Sequence, residues 1–319
     1  MIAPLVVILG PTASGKSSLA LHLAKAFSGE IVNYDSVQVY RYLEIGASKP
    51  SHQERAEIPH HLMDVADPDQ LFTAGEYLSR GRAVLAEIRE RRHLPILAGG
   101  TGLYLRALLM GLFDGPRRSE ELRERLNAIS EHQGISHLYR LLNRVDPDSV
   151  GRISAHDKPK MIRALEVFFL TSKPISWHFN AGRKPLQGFK ALKIGLNPPK
   201  ELVYEAINRR VEQMFADGLV AEVRSILERG FSPNLKALQS LGYSQVIRHL
   251  RGELTLIEAE DLTKRETRQY AKRQLTWFRK EDNVIWFESF GNDPTVQCEV
   301  QAIVRSFLEA FGTSSEGFL

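Results

Sequence analysis

The chain has 319 residues, 43% of them hydrophobic, a formal net charge of +4 and one cysteine, Cys298. That is enough apolar material for one large or two modest domains, and it excludes wholesale disorder, an internal disulfide and a cysteine-rich metal site. No apolar run approaches the roughly 18 residues a membrane span needs, and the amino terminus lacks the pattern of a secretory leader, so a cytoplasmic protein is expected.

In chain order, the apolar run Leu5–Leu9 predicts a buried strand, and Leu19, Ala20, Leu23, Ala24 and Phe27 lie at helical spacing beyond it. Between them stands Gly10-Pro11-Thr12-Ala13-Ser14-Gly15-Lys16-Ser17. Gly, four residues, then Gly-Lys-Ser between a strand and a helix is a phosphate-binding loop. Its backbone N–H groups and helix N-terminus would hold phosphate oxygens, with a point charge from Lys16 and a hydroxyl for Mg²⁺ from Ser17.

Glu30–Asn33 predicts a second strand, followed by Asp35-Ser36-Val37-Gln38-Val39-Tyr40. An aspartate there can hold Mg²⁺, accept a proton or bind an amine; capping a helix is the plainer alternative. His60 and His61 are expected to be packing or surface residues, because strand neighbours face opposite sides and no zinc-like spacing accompanies them. A third strand, Leu94–Ala98, runs into Gly99-Gly100-Thr101-Gly102-Leu103-Tyr104, a backbone nest suited to an oxyanion, with Thr101 as a donor to a leaving oxygen.

From Pro116 to Gly188 the pattern is helical, over Glu120–Ser130, Ile135–Arg144 and Lys160–Leu170, with no strand. Residues 117–188 are therefore expected to form a helical insertion in an α/β core made of residues 1–116 and 189–319; ordinary crossover helices are the alternative. Further strands are predicted at Leu192–Leu196 and Val284–Phe287. Helices are predicted at Lys200–Asp217, Leu219–Arg229, Ser244–Arg251 and Thr255–Lys280, and Gly312–Leu319 reads as a loose tail. Strands alternating with helices predict a parallel sheet whose carboxyl edge builds the site. Arg209 or Arg210 could add the positive charge that an expelled diphosphate requires. Between Lys264 and Lys280 seven basic residues stand against one acid, with Tyr270, Trp277 and Phe278 interleaved. That segment is either a solvated helix face with its tryptophan inward or a surface that tracks RNA phosphates.

Taken in order, these segments resemble the tRNA dimethylallyltransferases, also called tRNA isopentenyltransferases or the IPP transferase family. The matching stretches are residues 10–17, 35–40 and 99–104, Arg163-Ala164-Leu165-Glu166, Gly242-Tyr243, and Ala271-Lys272-Arg273-Gln274-Leu275-Thr276-Trp277-Phe278. The resemblance implies a P-loop NTPase-like parallel sheet core flanked by helices, with an inserted all-helical domain. It implies an enzyme, a prenyltransferase of tRNA modification. Such an enzyme moves a dimethylallyl group from dimethylallyl diphosphate to N6 of the adenosine 3′-adjacent to the anticodon, in tRNAs reading codons that begin with U, and releases diphosphate.

By the same resemblance, Gly10, Thr12, Ala13, Ser14, Gly15, Lys16 and Ser17 would bind the diphosphate, with Mg²⁺ held through Ser17. Asp35 would orient and deprotonate the amine, and Thr101 and Arg210 would stabilise the leaving group. The implied partner is a tRNA anticodon stem-loop, with no membrane and a monomer as the default. It would be contacted by Asp35, Ser36, Val37, Gln38 and Thr101 beside the base, and by Arg123, Pro159, Lys160, Met161, Ile162 and Arg163 in the insertion. Gly242, Tyr243, Ser244, Gln245, Lys272, Arg273 and Trp277 would complete that surface.

Two positions depart from the family pattern. Lys160 stands where arginine is usual, and Ala47-Ser48 where Thr-Ala is usual; neither is expected to touch the reacting groups. A P-loop kinase, a prenyltransferase acting on free AMP or ADP, and a non-catalytic RNA-binding P-loop protein are the rival readings.

Overall fold

The computed structural model describes residues 2–311, so the tail expected over Gly312–Leu319 lies outside the described residues. The chain divides into two compact units, residues 1–109 with 186–319, and residues 110–185. At the border, the Leu186 N–H donates to the Leu109 carbonyl at 2.8 Å. The first unit begins with β1 (Ala3–Leu9), α1 (Lys16–Ala26), β2 (Gly29–Asn33), α2 (His52–Glu57), β3 (His60–His61), α3 (Ala74–Glu90), β4 (Leu94–Ala98) and α4 (Gly102–Met110).

The second unit holds α5 (Glu120–Gln133), α6 (Ile135–Val145), α7 (Pro147–Val150), α8 (Lys158–Thr171) and α9 (Ile175–Asn180), and no strand. Its core gathers Leu126, Leu138, Leu142, Met161, Ile162 and Leu165. One buried carboxylate organises its polar side. Glu166, fully shielded from solvent, accepts two hydrogen bonds from Arg123 (2.8 and 3.0 Å), one from Arg163 (2.6 Å) and one from the Ser119 N–H (2.8 Å).

The first unit then resumes with β5 (Phe189–Leu196), α10 (Lys200–Ala216), α11 (Leu219–Glu228), a short 3₁₀ turn at Lys236–Gln239, α12 (Tyr243–Leu250), α13 (Leu256–Phe278), β6 (Val284–Phe287) and α14 (Pro294–Glu309). Its six strands form one parallel sheet in the order β3-β2-β4-β1-β5-β6. Parallel strands need both faces covered, and β1 shows why its sequence is a continuous apolar run. Val6 and Ile8 pack with Leu19, Leu23, Val300 and Val304, from α1 and α14. Leu5, Val7 and Leu9 pack on the other face with Leu85, Leu105 and Val246, from α3, α4 and α12.

Neither β3 nor α14 is among the elements expected from the sequence. A two-residue edge strand leaves no periodic signal, and β3 exists because Ile31 and Val32 of β2 pair with His60 and His61. The carboxyl ends of β1, β2 and β4 release the phosphate loop, the Asp35 loop and the glycine loop side by side, since β4 lies between β2 and β1.

At the opposite end of β2, the 2% exposed Glu30 ties three segments together. It accepts from both Nε and Nη2 of Arg91 (2.9 and 2.7 Å) and pairs with His61 Nε2 (2.5 Å) and His93 Nδ1 (2.7 Å). Burial alone would raise this carboxyl, but the bonds from Arg91, His61 and His93 and the Arg91 charge overcome it and hold the group at about 2 against an ordinary 4.5. A depressed carboxyl adds stability that is present above 4.5 and lost as pH falls toward 2. Urea unfolding midpoints should therefore drop over that window in the parent. Glu30→Gln should flatten that drop and remove about 2 kcal/mol at neutral pH, because a neutral acceptor replaces the buried carboxylate that three partly exposed side chains share.

Candidate active site

The phosphate loop owes its shape to residues that reach left-handed backbone. Gly10 has φ 149°, and a Cβ there would collide with Ser14 Oγ and the Leu196 carbonyl. Ala13, a non-glycine residue at φ 62°, turns the chain so that α1 starts at Lys16 with no side-chain cap. The first N–H groups of α1 are thus left for an anion. Ser14 Oγ is buried without a hydrogen-bond partner, a polar atom in want of a ligand. From outside, Gly291 N–H donates to the Ser14 carbonyl at 2.9 Å and braces the loop.

Above this loop lies a cavity of about 90 Å³. Its polar lining includes Thr12, Lys16, Ser17, Asp35, Gln38, Ser48, Arg210, Tyr270 and Gln274, and its apolar lining includes Ala20, Ile31 and Met63. The Lys16 ammonium donates to the Pro11 carbonyl at 2.7 Å. Burial, and then the charge of Arg210, lowers its pKa to about 7, against a smaller opposite effect of Asp35. Of the two candidate arginines, Arg209 is exposed and Arg210 faces the cavity. Arg210 donates from Nε to Ser48 Oγ (2.9 Å) and from Nη1 to Thr12 Oγ1 (3.1 Å). Burial also lowers its pKa, with Asp35 acting in the other sense.

Asp35 turns its own loop, accepting the Val37 N–H on Oδ1 at 2.8 Å. It makes no ion pair among the described residues. Its carboxylate lines the cavity without a cationic partner.

Several expected contacts take other partners. The Thr101 hydroxyl accepts the Ser36 N–H (2.9 Å) and donates to Ser36 Oγ (3.0 Å), and Thr101 is absent from the cavity lining. It fastens the Asp35 loop to the glycine loop. Gln38 Nε2 donates to the carbonyls of Ala47 and Ser48, both at 3.1 Å. Tyr243 is fully buried, and Gln245 is 3% exposed, with its Oε1 taken by the Gly242 N–H and its Nε2 by Glu266. Ser244 Oγ donates to the same Gln245 Oε1. Met161 and Ile162 lie in the core of the helical unit, so their side chains are closed to RNA, and Arg123 and Arg163 both serve Glu166. Pro159 and Lys160, in the first turn of α8, are accessible. The departure at Ser48 does touch the site, because Ser48 accepts from Arg210.

The basic–aromatic helix α13 does two jobs on two faces. Lys272, Arg273, Arg279 and Lys280 are exposed. Opposite them, Gln274 accepts the Thr12 N–H (2.8 Å) and donates to the Gly100 carbonyl (2.8 Å), while Tyr270 donates to the same carbonyl at 3.3 Å. Trp277 packs so closely on Gly102 that no side chain fits there, and the Arg106 guanidinium sits 4.4 Å from its ring centroid. It is thus packed within the fold. Gln274 and Tyr270 were absent from the expected site. Their spacing of four residues, placing them on one helix face, was the available signal.

The fold and cavity define a P-loop α/β protein that sets a lysine, an arginine and an unpaired carboxylate in one cavity. A family model described as IPP transferase matches residues 38–281. The chain is 51% identical to a tRNA dimethylallyltransferase of Solibacter usitatus over 305 residues, 96% of this chain and 99% of that one. A full-length tRNA isopentenylpyrophosphate transferase from Bacillus halodurans superposes with a TM-score of 0.71 at 36% identity, covering 96% of this chain and 97% of that one. A eukaryotic dimethylallyltransferase crystallised acting on tRNA gives a TM-score of 0.83 at 26% identity, covering 97% and 80%. The chain belongs to the IPP transferase family. No helix among the described residues is long and apolar enough to cross a membrane.

Gln274→Leu would leave the Thr12 N–H and the Gly100 carbonyl without their shared partner. Titration calorimetry with inorganic diphosphate should show affinity about tenfold weaker, the cost of roughly one buried hydrogen-bond partner.

Proposed function

We propose that the chain transfers a dimethylallyl group from dimethylallyl diphosphate to N6 of the adenosine 3′-adjacent to the anticodon in tRNAs that read codons beginning with U. The observation that carries this reading is the single cavity in which Lys16 and Arg210 stand with the unpaired carboxylate of Asp35. The names of its relatives support the same substrates.

The chemistry follows from the charges. As the allylic C–O bond breaks, its electron pair goes to the diphosphate, and the allyl carbon becomes positive. The N–H groups of Gly15, Lys16 and Ser17, the Lys16 ammonium and the Arg210 guanidinium meet the growing negative charge in a preorganised site. The N6 lone pair forms the new C–N bond, and its N–H, made acidic by attack, gives its proton to Asp35. The target base leaves its stack to reach this cavity, at a cost of a few kcal/mol. Contacts to the anticodon arm would offset that cost. Exposed Lys272 and Arg273 on α13, with Pro159 and Lys160 of the helical unit, are the accessible candidates.

The site suits Mg²⁺. No group of three or more His, Cys, Asp or Glu gathers anywhere among the described residues. An ion here would therefore draw most of its oxygens from diphosphate and water, as Mg²⁺ does. The exposed Ser17 hydroxyl would hold it. Bound there, the ion neutralises diphosphate charge. The reading further takes the protein to act as a monomer in the cytoplasm.

Incubation with labelled dimethylallyl diphosphate and Mg²⁺ tests the reading against two acceptors, undermodified tRNA and free AMP. Label in N6-prenylated adenosine of the tRNA alone is expected; label in AMP alone would move the acceptor to the free nucleotide. Asp35→Ala and Arg210→Ala should each lower kcat by about 10²–10³. Chelating Mg²⁺ with EDTA should weaken binding of dimethylallyl diphosphate, and parental affinity in EDTA would remove the metal from the scheme.

A further inference from the structure

The segment Glu44–Ser48 crosses the site without regular structure, yet its backbone is held at every residue. Glu222 of α11 accepts the N–H groups of Glu44 (3.2 Å) and Ile45 (2.7 Å) on Oε2, and that of Gly46 (3.3 Å) on Oε1. Oε1 also accepts the Tyr243 hydroxyl at 2.7 Å, and the Tyr243 oxygen accepts the next amide, Ala47 N–H, at 3.1 Å. Four successive N–H groups thus end on two side chains from α11 and α12. Gly46 lies so tightly on the Tyr243 ring that a Cβ would overlap it. Buried polar groups arranged this way leave one conformation for the segment.

The outcome of that clamp is Ser48. Its φ of 47° is left-handed, an uncommon state for a residue with a side chain. Its carbonyl is taken by Gln38, and its hydroxyl accepts Arg210 Nε at 2.9 Å. Arg210 in turn reaches Thr12 of the phosphate loop. Non-glycine residues held in such states persist only where surroundings over-determine them, and they concentrate at functional sites.

We infer that Glu222 and Tyr243 are positioning residues for the transfer: they fix residues 44–48 and, through the Ser48 hydroxyl, aim the Arg210 guanidinium at the leaving diphosphate. The inference rests on the role given to Arg210 above. It also replaces the contact with tRNA expected of Tyr243 by an internal one.

Glu222→Gln is a sharp probe, because either flip of the amide turns an acceptor that serves two donors into a donor. Tyr243→Phe cuts the link to Ala47, and Ser48→Ala removes the bond to Arg210 and a long one (3.5 Å) to the Ile45 carbonyl while keeping the contacts of Glu222 and Tyr243. Each should lower kcat about tenfold, as expected for a slightly misaimed group, with the KM for tRNA held within about twofold. The deciding comparison is made in an Arg210→Ala background. There Glu222→Gln should cost no more than about twofold further, since its route to the reaction is already gone. The same tenfold loss in both backgrounds would mean a general structural role and overturn the inference. Parental kcat in Ser48→Ala would also overturn it, and that variant stands if Glu222→Gln fails to fold. Parental activity in Arg210→Ala would instead sink the leaving-group role itself, so the two failures are distinguishable.

Discussion

Two cations share one cavity without a carboxylate bonded to either, and the rest of the molecule serves that arrangement. Lys16 falls back on a backbone carbonyl, Pro11, and Arg210 on two hydroxyls. Each positive charge resists the other, and burial removes the water that would soften the repulsion. Such a pair is costly when empty and suited to a dianion. The sheet supplies one cation from the loop after its central strand. The helices beyond β5 supply the other, and α13 ties the phosphate loop to the glycine loop through Gln274.

Much of this was legible in the chain because it is local. A strand, eight loop residues and a helix are contiguous, and their conformation follows from glycine placement and apolar spacing. The strands at Leu94–Ala98 and Val284–Phe287, and the long helix before the second of them, follow from the same patterns. Asp35 was legible too, as the first carboxylate after β2. What the chain concealed is which face a motif residue turns inward. Gly242-Tyr243 belongs to a matching stretch, and nothing in the match separates contact with a substrate from contact with the protein's own backbone. For Met161, Ile162 and Leu165 the distinction was available, since their helical spacing marks a core stripe. Residue matching hid it.

Thr101 and Ser48 are a complementary pair of hydroxyls. The one in the glycine loop, expected to serve the reaction, joins two loops. A hydroxyl at a position taken as peripheral accepts the arginine. Both outcomes depend on contacts between residues 65 and 162 positions apart, which no local pattern encodes. The same distance separates the two faces of α13 in function: exposed bases are read from composition, whereas the inward row of Tyr270, Gln274 and Phe278 is defined only by what the sheet presents to it.

The strand order has a consequence for synthesis. β1 is bonded on one side to β4 and on the other to β5, and the whole helical unit is encoded between those two. At ribosomal rates of about 5–20 residues per second, the open side of β1 waits roughly 5–20 s after β4 is made for its second neighbour. The helical unit, contiguous in sequence, can collapse on itself during that delay, while a seven-residue apolar strand edge stays exposed. The nascent protein thus passes through a half-sheet with a sticky margin, and that stage, rather than the finished fold, is where chaperone assistance would matter most.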